Sequence, residues 1–395
     1  MAVSLKNTPE LLLNFSTKAE KIFSAYNTSI IQRLKKDSNN IDSKYICQFT
    51  IELLTRQAGG LRGAADRLAE VLETDSTLTY SASAICKARK KFPPQLFLDI
   101  NQSLIDEVFS QKNLFKKRRL FAIDGSKIVL PKQLEKSNFK TEKKESHYPM
   151  GRLSRLYEIE TQLIHDVSLN SHCDERKAAI GHFHRLCADD ILIYDRGYFS
   201  FHLLAAHRKH QLDFVMRFSE KTGVKEFENF IQESADRNTS ELQVKISPVG
   251  TKSIKKIAAD YPSENQEFSV RLIKYTYEDK SYYMVTSLLR DKDCPTTNFP
   301  DLYHSRWGVE EAYKQLKVYL LRKEFHGACY TTVRQEIYAA ALVVNMSRIL
   351  ALSIEKTRMV GKKKPYCSTG DKNLKMAGQQ VICLLSNNKL RHFTL

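Results

Sequence analysis

Two apolar segments, each leading into an aspartate and a turn, constrain the fold more than any other feature of this sequence. Residues 120–126 read LFAIDGS and residues 191–198 read ILIYDRGY. Short apolar runs bounded by glycine-containing turns are typical of buried strands. Each strand is therefore expected to end at one carboxylate, Asp124 in the first segment and Asp195 in the second.

The order of elements around these segments predicts the fold class. Strands expected between residues 120 and 169 are followed by a helix at 174–186, the strand ending at Asp195, a helix at 201–211 and a strand at 214–217. Helices and strands in this order pack as layers around a mixed sheet. The sequence predicts an α/β protein with a ribonuclease-H-like mixed-sheet core, both aspartates lying at strand ends.

The charge balance favours a polyanionic partner. Lys and Arg number 62 against 45 Asp and Glu, a formal net charge of +17 over 395 residues, and such an excess indicates nucleic acid rather than a membrane surface. The eight cysteines are scattered without a C-x-x-C pair, which suits a reducing compartment. With no signal-peptide core and no apolar run long enough to span a bilayer, a cytoplasmic location is expected.

Composition shifts divide the chain into five parts. The first is helical and basic, and a β-rich stretch with a hairpin at residues 268–289 interrupts the α/β pattern. The predicted parts are a helical DNA-binding domain at 1–112, the first part of the core at 113–217, a β-rich insertion at 218–296, the second part of the core at 297–352 and a basic tail at 353–395.

The helical part contains a candidate helix-turn-helix. Residues 61–72 and 81–92 form two short helices joined by a polar link, and the second ends in a run of cations. A basic helix of this kind fits a DNA groove. The same charges also suit a helix end that complements the helix dipole, so both interpretations stand. The candidate DNA contacts are Lys87, Arg89, Lys90 and Lys91.

A second charged pattern lies at residues 303–317. In a helix, side chains three, four and seven positions apart share one face, so a single carboxylate would lie between cations on that face. A metal-binding carboxylate beside cations that grip phosphate oxygens is what phosphodiester chemistry requires. An exposed helix with ordinary ion pairs is the alternative. The residues of this face are Tyr303, Arg306, Glu310, either Tyr313 or Lys314, and Lys317.

Three acids therefore form a candidate metal site. Charges near apolar strand ends are costly unless compensated, and divalent cations would compensate Asp124, Asp195 and Glu310. Carboxylate oxygens favour Mg²⁺, with Mn²⁺ as a substitute. A separate set of zinc-ligand types at residues 172–187 has no recognisable ligand spacing, and it is better explained as part of an amphipathic helix.

The spacing Tyr303-x2-Arg306-x3-Glu310-x6-Lys317 resembles the Y-R-E-K signature of bacterial DDE transposases of insertion-sequence family four. The sequences around Asp124 and Asp195 are similar to the first and second acidic blocks of that family, and the resemblance covers roughly residues 50–350. The family also carries a β-rich insertion between the second aspartate and the glutamate.

The resemblance implies a function. Asp124, Asp195 and Glu310 would be the metal-binding triad, Arg306 and Lys317 would hold DNA phosphates, and Tyr303 would contact terminal nucleotides. The implied reaction is hydrolysis at the element's ends followed by attack of the 3′ hydroxyl on target DNA, carried out by a dimer on DNA. Two alternatives remain: a catalytically silent DNA-binding repressor of the element, and a ribonuclease-H-fold nuclease without strand transfer.

Overall fold

A computed structural model describes the following parts of the chain: residues 8–34, 41–55, 60–71, 80–110, 118–141, 147–171, 174–219, 223–248, 250–262, 267–290, 294–306, 325–358, 381–382 and 384–385. The helices within them are α1 (Thr8–Leu34), α2 (Ser43–Thr55), α3 (Gly60–Val71), α4 (Ala82–Arg89), α5 (Gln95–Ser110), α6 (Glu175–Ile180), α7 (Phe201–Lys209), α8 (Lys225–Glu233), α9 (Thr251–Asp260), α10 (Phe299–His304) and α11 (Tyr330–Arg358).

The strands of these parts form one eight-stranded sheet. They are β1 (Leu120–Val129), β2 (Met150–Glu158), β3 (Leu163–Asn170), β4 (Ile191–Tyr194), β5 (Asp213–Arg217), β6 (Thr239–Ile246), β7 (Phe268–Tyr277) and β8 (Lys280–Thr286). Their order in the sheet is β3-β2-β1-β4-β5-β8-β7-β6.

Strand directions confirm the predicted fold class. β1, β2 and β3 form an antiparallel meander, and β4 and β5 then run parallel to β1 after helical connections. The order 3-2-1-4-5 with this mixture of directions is the ribonuclease-H-like arrangement. The β-rich segment continues the same sheet, because β8 pairs antiparallel with β5 and forms the predicted hairpin with β7.

The two faces of the sheet bury different cores. We call the front face the side that carries Ala122 and Ile193, and the back face the side that carries Phe121 and Leu192. On the front, the side chains of β1–β3 share one hydrophobic core with α1–α5 and α11, while those of β4 and β5 pack against α10. On the back, they pack against α6 and α7. The helical segment expected to be a domain of its own thus shares its core with the sheet.

Two local predictions differ from the structure. The first strand was expected to end at Asp124, but β1 continues to Val129 because β2 remains paired with it along this whole stretch. The helix expected at 174–186 ends at Ile180, and a separate 3-10 turn follows at Phe183–Arg185. Within the described ranges, no helix combines the length and apolarity needed to cross a bilayer.

Candidate active site

The two aspartates occupy equivalent positions on neighbouring parallel strands. Phe121 of β1 pairs with Leu192 of β4, and Ala122 pairs with Ile193. Asp195 directly follows β4, and continuing the same offset two residues beyond the paired stretch brings it level with Asp124. Side chains alternate between faces along a strand, so both carboxylates lie on the front face, like Ala122 and Ile193. Both residues are half-buried and retain access to solvent.

Asp195 is held by a side chain from a distant part of the sequence. Its Oδ1 accepts a hydrogen bond from the Tyr303 hydroxyl at 3.3 Å and another from the backbone N–H of Arg196 at 2.8 Å. Tyr303 lies in α10 and is only 3% exposed. The structure therefore brings together the second predicted aspartate and the first residue of the Y-R-E-K spacing, 108 positions apart.

Tyr303 lies between two guanidinium groups. The Cζ atom of Arg306 is 5.5 Å from the centre of the Tyr303 ring, and that of Arg217 is 5.7 Å from it. Burial raises the pKa of Tyr303, while both arginines act in the opposite direction and the charge of Asp195 adds to the rise. The phenol is consequently protonated at neutral pH and can donate to the carboxylate.

Arg217 is a site residue that sequence reasoning missed. It ends β5, and the parallel pairing of Tyr194 with Met216 places Arg217 level with Asp195. Its guanidinium also lies 5.0 Å from the ring centre of Tyr282 in the β7–β8 hairpin. The sequence signal that could have identified Arg217 is a charged residue at the end of the third parallel strand. Asp124 of β1, Asp195 just after β4 and Arg217 of β5 thus form one row across neighbouring strands.

The β-rich segment anchors the approach to α10. Arg271 of β7 is 1% exposed and donates to the carbonyl of Cys294 at 2.9 Å and to the Thr296 hydroxyl at 2.5 Å. Its Nε also donates to Glu241 of β6 at 3.1 Å. These bonds fix the chain just before Phe299, the fully buried first residue of α10. The position of Tyr303 therefore depends on the segment that lies between the two halves of the core.

Glu310 and Lys317 lie outside the described residues, which stop at Arg306 and resume at Phe325. Arg306 itself is 7% exposed and sits beside Tyr303, so the first two members of the Y-R-E-K spacing are adjacent in space.

The four N-terminal cations divide into two groups. Lys87, Lys90 and Lys91 are exposed on α4 and the turn that follows it. Arg89 is 1% exposed, and its guanidinium donates to Glu336 at 3.0 Å and to the carbonyl of Thr332 at 3.3 Å. The expected DNA contact by Arg89 needs correction, because a buried side chain paired with a carboxylate is not available to a phosphate. Its role is to join α4 to α11.

The chemistry of the acids fits a hard cation. Asp124 and Asp195 supply carboxylate oxygens, the donors that Mg²⁺ prefers. In the described parts of the chain, no three His, Cys, Asp or Glu residues are grouped as metal ligands, and Glu310 is outside those parts. His182, one of the zinc-ligand types, instead bonds Asp166 and Ser154. His172 and Cys173 are outside the described residues.

The site belongs to a recognised family. Residues 115–346, more than half of the chain, match the family model described as transposase DDE domain. The chain is therefore a member of the DDE transposase family, a family of enzymes that act in transposition. Both aspartates, Arg217, Tyr303 and Arg306 fall inside the matched residues.

Comparison with solved structures also gives similarities, and one is described here. The cryo-EM structure of a piggyBac transposase synaptic complex with hairpin DNA is similar to this chain, with a TM-score of 0.45 and 10% sequence identity. The likeness covers 98% of this chain and 82% of that one. No curated protein matches the chain in sequence. The family assignment depends on the match over residues 115–346.

Proposed function

We propose that this transposase binds the ends of its own insertion sequence, hydrolyses a phosphodiester bond there and joins the resulting 3′ hydroxyl to target DNA. The observation that supports this most strongly is the placement of Asp124 and Asp195 level with each other on adjacent strands, on the face that Tyr303 reaches. Two carboxylates side by side at a solvent-accessible sheet position suit metal-dependent phosphodiester chemistry.

The third acid of the proposed triad is Glu310. It follows Arg306 by four residues, and four residues of extended chain span at most about 14 Å. Since Arg306 lies against Tyr303, and Tyr303 bonds Asp195, the chain is short enough for Glu310 to reach the two aspartates. When bound, Mg²⁺ (or Mn²⁺ as a substitute) would supply Lewis-acid stabilisation of the entering and leaving oxygens.

The surrounding cations have a separate role. Arg217 and Arg306 place two guanidinium groups within a few ångströms of Asp195's partner Tyr303, where they would bind DNA phosphates next to the cleaved bond. Lys317 would add a third cation. Tyr303 would orient Asp195 through its hydroxyl. Since Tyr303 is only 3% exposed, the predicted contact with terminal nucleotides would require its ring to become exposed when DNA binds.

DNA outside the site would be held by the helical part of the chain. Lys87, Lys90 and Lys91 are exposed and close in sequence, and the net charge of +17 favours DNA association. We assign this part to recognition of the element's ends, and residues 113–217 with 297–352 to catalysis. By the Y-R-E-K spacing the protein would belong to the insertion-sequence family four group. By resemblance to that group it would act as a dimer on DNA, and the predicted location is the cytoplasm.

A single assay tests the proposal. The protein is incubated with DNA carrying its element's ends, a target plasmid and Mg²⁺, and the products are separated on a gel. Joined products are the expected result. Cleavage without joining would indicate a nuclease without strand transfer, and a mobility shift without cleavage would indicate a silent repressor. Either outcome would contradict the proposal.

A further inference from the structure

Arg155 is a charged side chain in the interior of the sheet. It lies in the middle of β2 and is 0% exposed, which places it among the largest fully buried side chains of the described residues. On the same strand and face, Leu153 and Tyr157 are also buried, and on β3 its paired residue is the buried Val167. An ionised guanidinium in such surroundings is costly unless a charged or polar group compensates it.

Asp124 lies directly across from Arg155. The antiparallel ladder of β1 and β2 pairs the two residues, with Ile123 opposite Leu156 and Gly125 opposite Ser154 on either side. Directly opposed residues point to the same face, and their Cβ atoms lie about 4.5–5.5 Å apart. A long arginine side chain easily spans that separation, so its guanidinium is within reach of the Asp124 carboxylate.

The charge of Arg155 acts on this same face. Burial raises the pKa of Tyr157, while the positive charges of Arg348 and Arg155 act to lower it, which places the guanidinium near that phenol. Of the neighbours Asp124, Leu153, Tyr157 and Val167, only Asp124 carries a charge. Asp124 is half-buried, so the residue has interior neighbours and keeps access to solvent.

Other buried arginines of the fold differ in this respect. Arg89 pairs with Glu336 and joins two helices, and Arg271 bonds Glu241 and the chain before α10. Neither of those carboxylates belongs to the row of acids in the candidate active site. Arg155 instead faces the first acid of that row, so its charge acts where a divalent cation is expected.

We propose that Arg155 is a positioning residue for the active site. Its guanidinium, on the interior side of Asp124, would hydrogen-bond one carboxylate oxygen when a cation takes the other oxygen on the solvent side. The inference rests on the proposed function, in which Asp124 is a metal ligand. Groups that hydrogen-bond a ligating carboxylate orient it, and their loss typically weakens metal binding by about 10–100-fold.

The test measures Mn²⁺ affinity by calorimetry on the full chain. Arg155→Met is expected to weaken Mn²⁺ binding by about 10–100-fold, and Arg155→Lys by less. Asp124→Asn is expected to weaken binding as well. The double variant should bind no more weakly than Asp124→Asn alone, since Arg155 acts through that carboxylate.

The control is Arg89→Met, which removes another buried arginine from the same front-face core. It should lower the melting temperature and leave the Mn²⁺ affinity unchanged. If Arg155→Met behaves like this control, Arg155 serves packing only and the proposal is overturned. If Arg155→Met does not fold, Arg155→Lys decides: roughly threefold or greater weakening supports the proposal and unchanged affinity overturns it.

Failure of the proposed function would look different. In that case Asp124→Asn would itself bind Mn²⁺ as tightly as the wild-type protein. Loss of affinity in Asp124→Asn together with unchanged affinity in Arg155→Met would reject only the role of Arg155.

Discussion

The two faces of the central sheet each carry a group of acids and polar side chains, and the two groups differ in access to solvent. On the front, Asp124 and Asp195 are half-buried beside Tyr303. On the back, Ser154 Oγ lies 3.0 Å from His182 Nε2, and His182 Nδ1 lies 2.7 Å from Asp166 Oδ2.

The back-face group has the residue types of a hydrolytic triad without its accessibility. Ser154, His182 and Asp166 are 1%, 0% and 5% exposed, so a substrate cannot reach the serine. Burial alone would raise the pKa of Asp166, but the hydrogen bond with His182 and nearby positive charges bring it below its usual value. These two hydrogen bonds connect the turn after α6 to β2 and β3.

Residues of reactive types in hydrogen-bonding geometry do not form a reactive site unless a substrate can reach them. The two groups meet in a single strand, because Ser154 and Arg155 are consecutive in β2 and point to opposite faces. Ser154 lies across from Gly125 and Arg155 across from Asp124. Substitutions in the front-face row of Asp124, Asp195 and Arg217 should therefore change chemistry, and those in the back-face group should change stability.

The largest effect is expected for Asp195→Asn. Loss of a metal-binding carboxylate removes several kcal/mol of transition-state stabilisation, which corresponds to about 10³-fold slower cleavage. The melting temperature should stay close to that of the wild-type protein. Asp189→Asn, at an exposed aspartate before β4, is the matched control and should cleave normally. Equal cleavage by Asp195→Asn and the control would remove Asp195 from the site.

The second-largest effect is expected on the back face, and it is a loss of stability. His182→Ala leaves the buried Asp166 carboxylate without its partner and should lower the free energy of unfolding by about 3 kcal/mol, measured by urea denaturation. Cleavage per folded molecule should not change. His184→Ala, at an exposed histidine two positions away, is the control. Loss of cleavage with unchanged stability would instead indicate that the group of Ser154, His182 and Asp166 takes part in catalysis.

Low pH should destabilise the folded protein through two buried histidines. Burial lowers the pKa of His165 and of His207 to about 3, against an ordinary value of 6.5. The unfolded chain then binds more protons than the folded one between these values. Stability should fall by about 1.4 kcal/mol per pH unit for each histidine as pH decreases from 6.5 towards 3.

Denaturation at a series of pH values checks this dependence. His207→Phe should reduce the slope of unfolding free energy against pH by about the contribution of one histidine. The depressed pKa of Asp166 adds a loss in the same direction at lower pH, because protonation of that carboxylate disrupts its bond with His182. An unchanged slope in His207→Phe would show that this residue does not contribute.

The smallest effect is expected for Arg217→Met on the front face. Removing one phosphate-binding cation should weaken DNA binding by about 1 kcal/mol, roughly a factor of five, and reduce the slope of log K against log salt by about one. Arg208→Met removes the same charge near the back face, where Arg208 lies against Phe268, and serves as the control. Identical binding by both variants would leave Arg217 without a specific role.

Sequence patterns predicted what depends on local periodicity and spacing. The apolar strands and the β7–β8 hairpin follow from segments whose own residues carry the signal, whereas the bond between Asp195 and Tyr303 joins residues 108 positions apart and was not predicted. α9 was missed because its polar sequence has few apolar positions at helical spacing. The strand break at Asp124 was predicted from Gly125 and Ser126, but pairing with β2 continues the strand there.

The remaining features depend on contacts between distant segments, such as strand register, which no short segment of sequence contains. Arg217 joins the acids only because β4 and β5 align Tyr194 with Met216, and Arg155 faces Asp124 only through the β1–β2 ladder. Arg89 looked like a surface cation in its basic run, and its burial depends on Glu336, 247 positions away.

The most direct measurement is anomalous diffraction from crystals of the protein soaked in Mn²⁺. The account predicts manganese on the front face, bound by carboxylate oxygens of Asp124 and Asp195 at about 2.0–2.2 Å, with Glu310 on the same pair of ions. Manganese bound elsewhere, or a Glu310 carboxylate remote from the two aspartates, would contradict it.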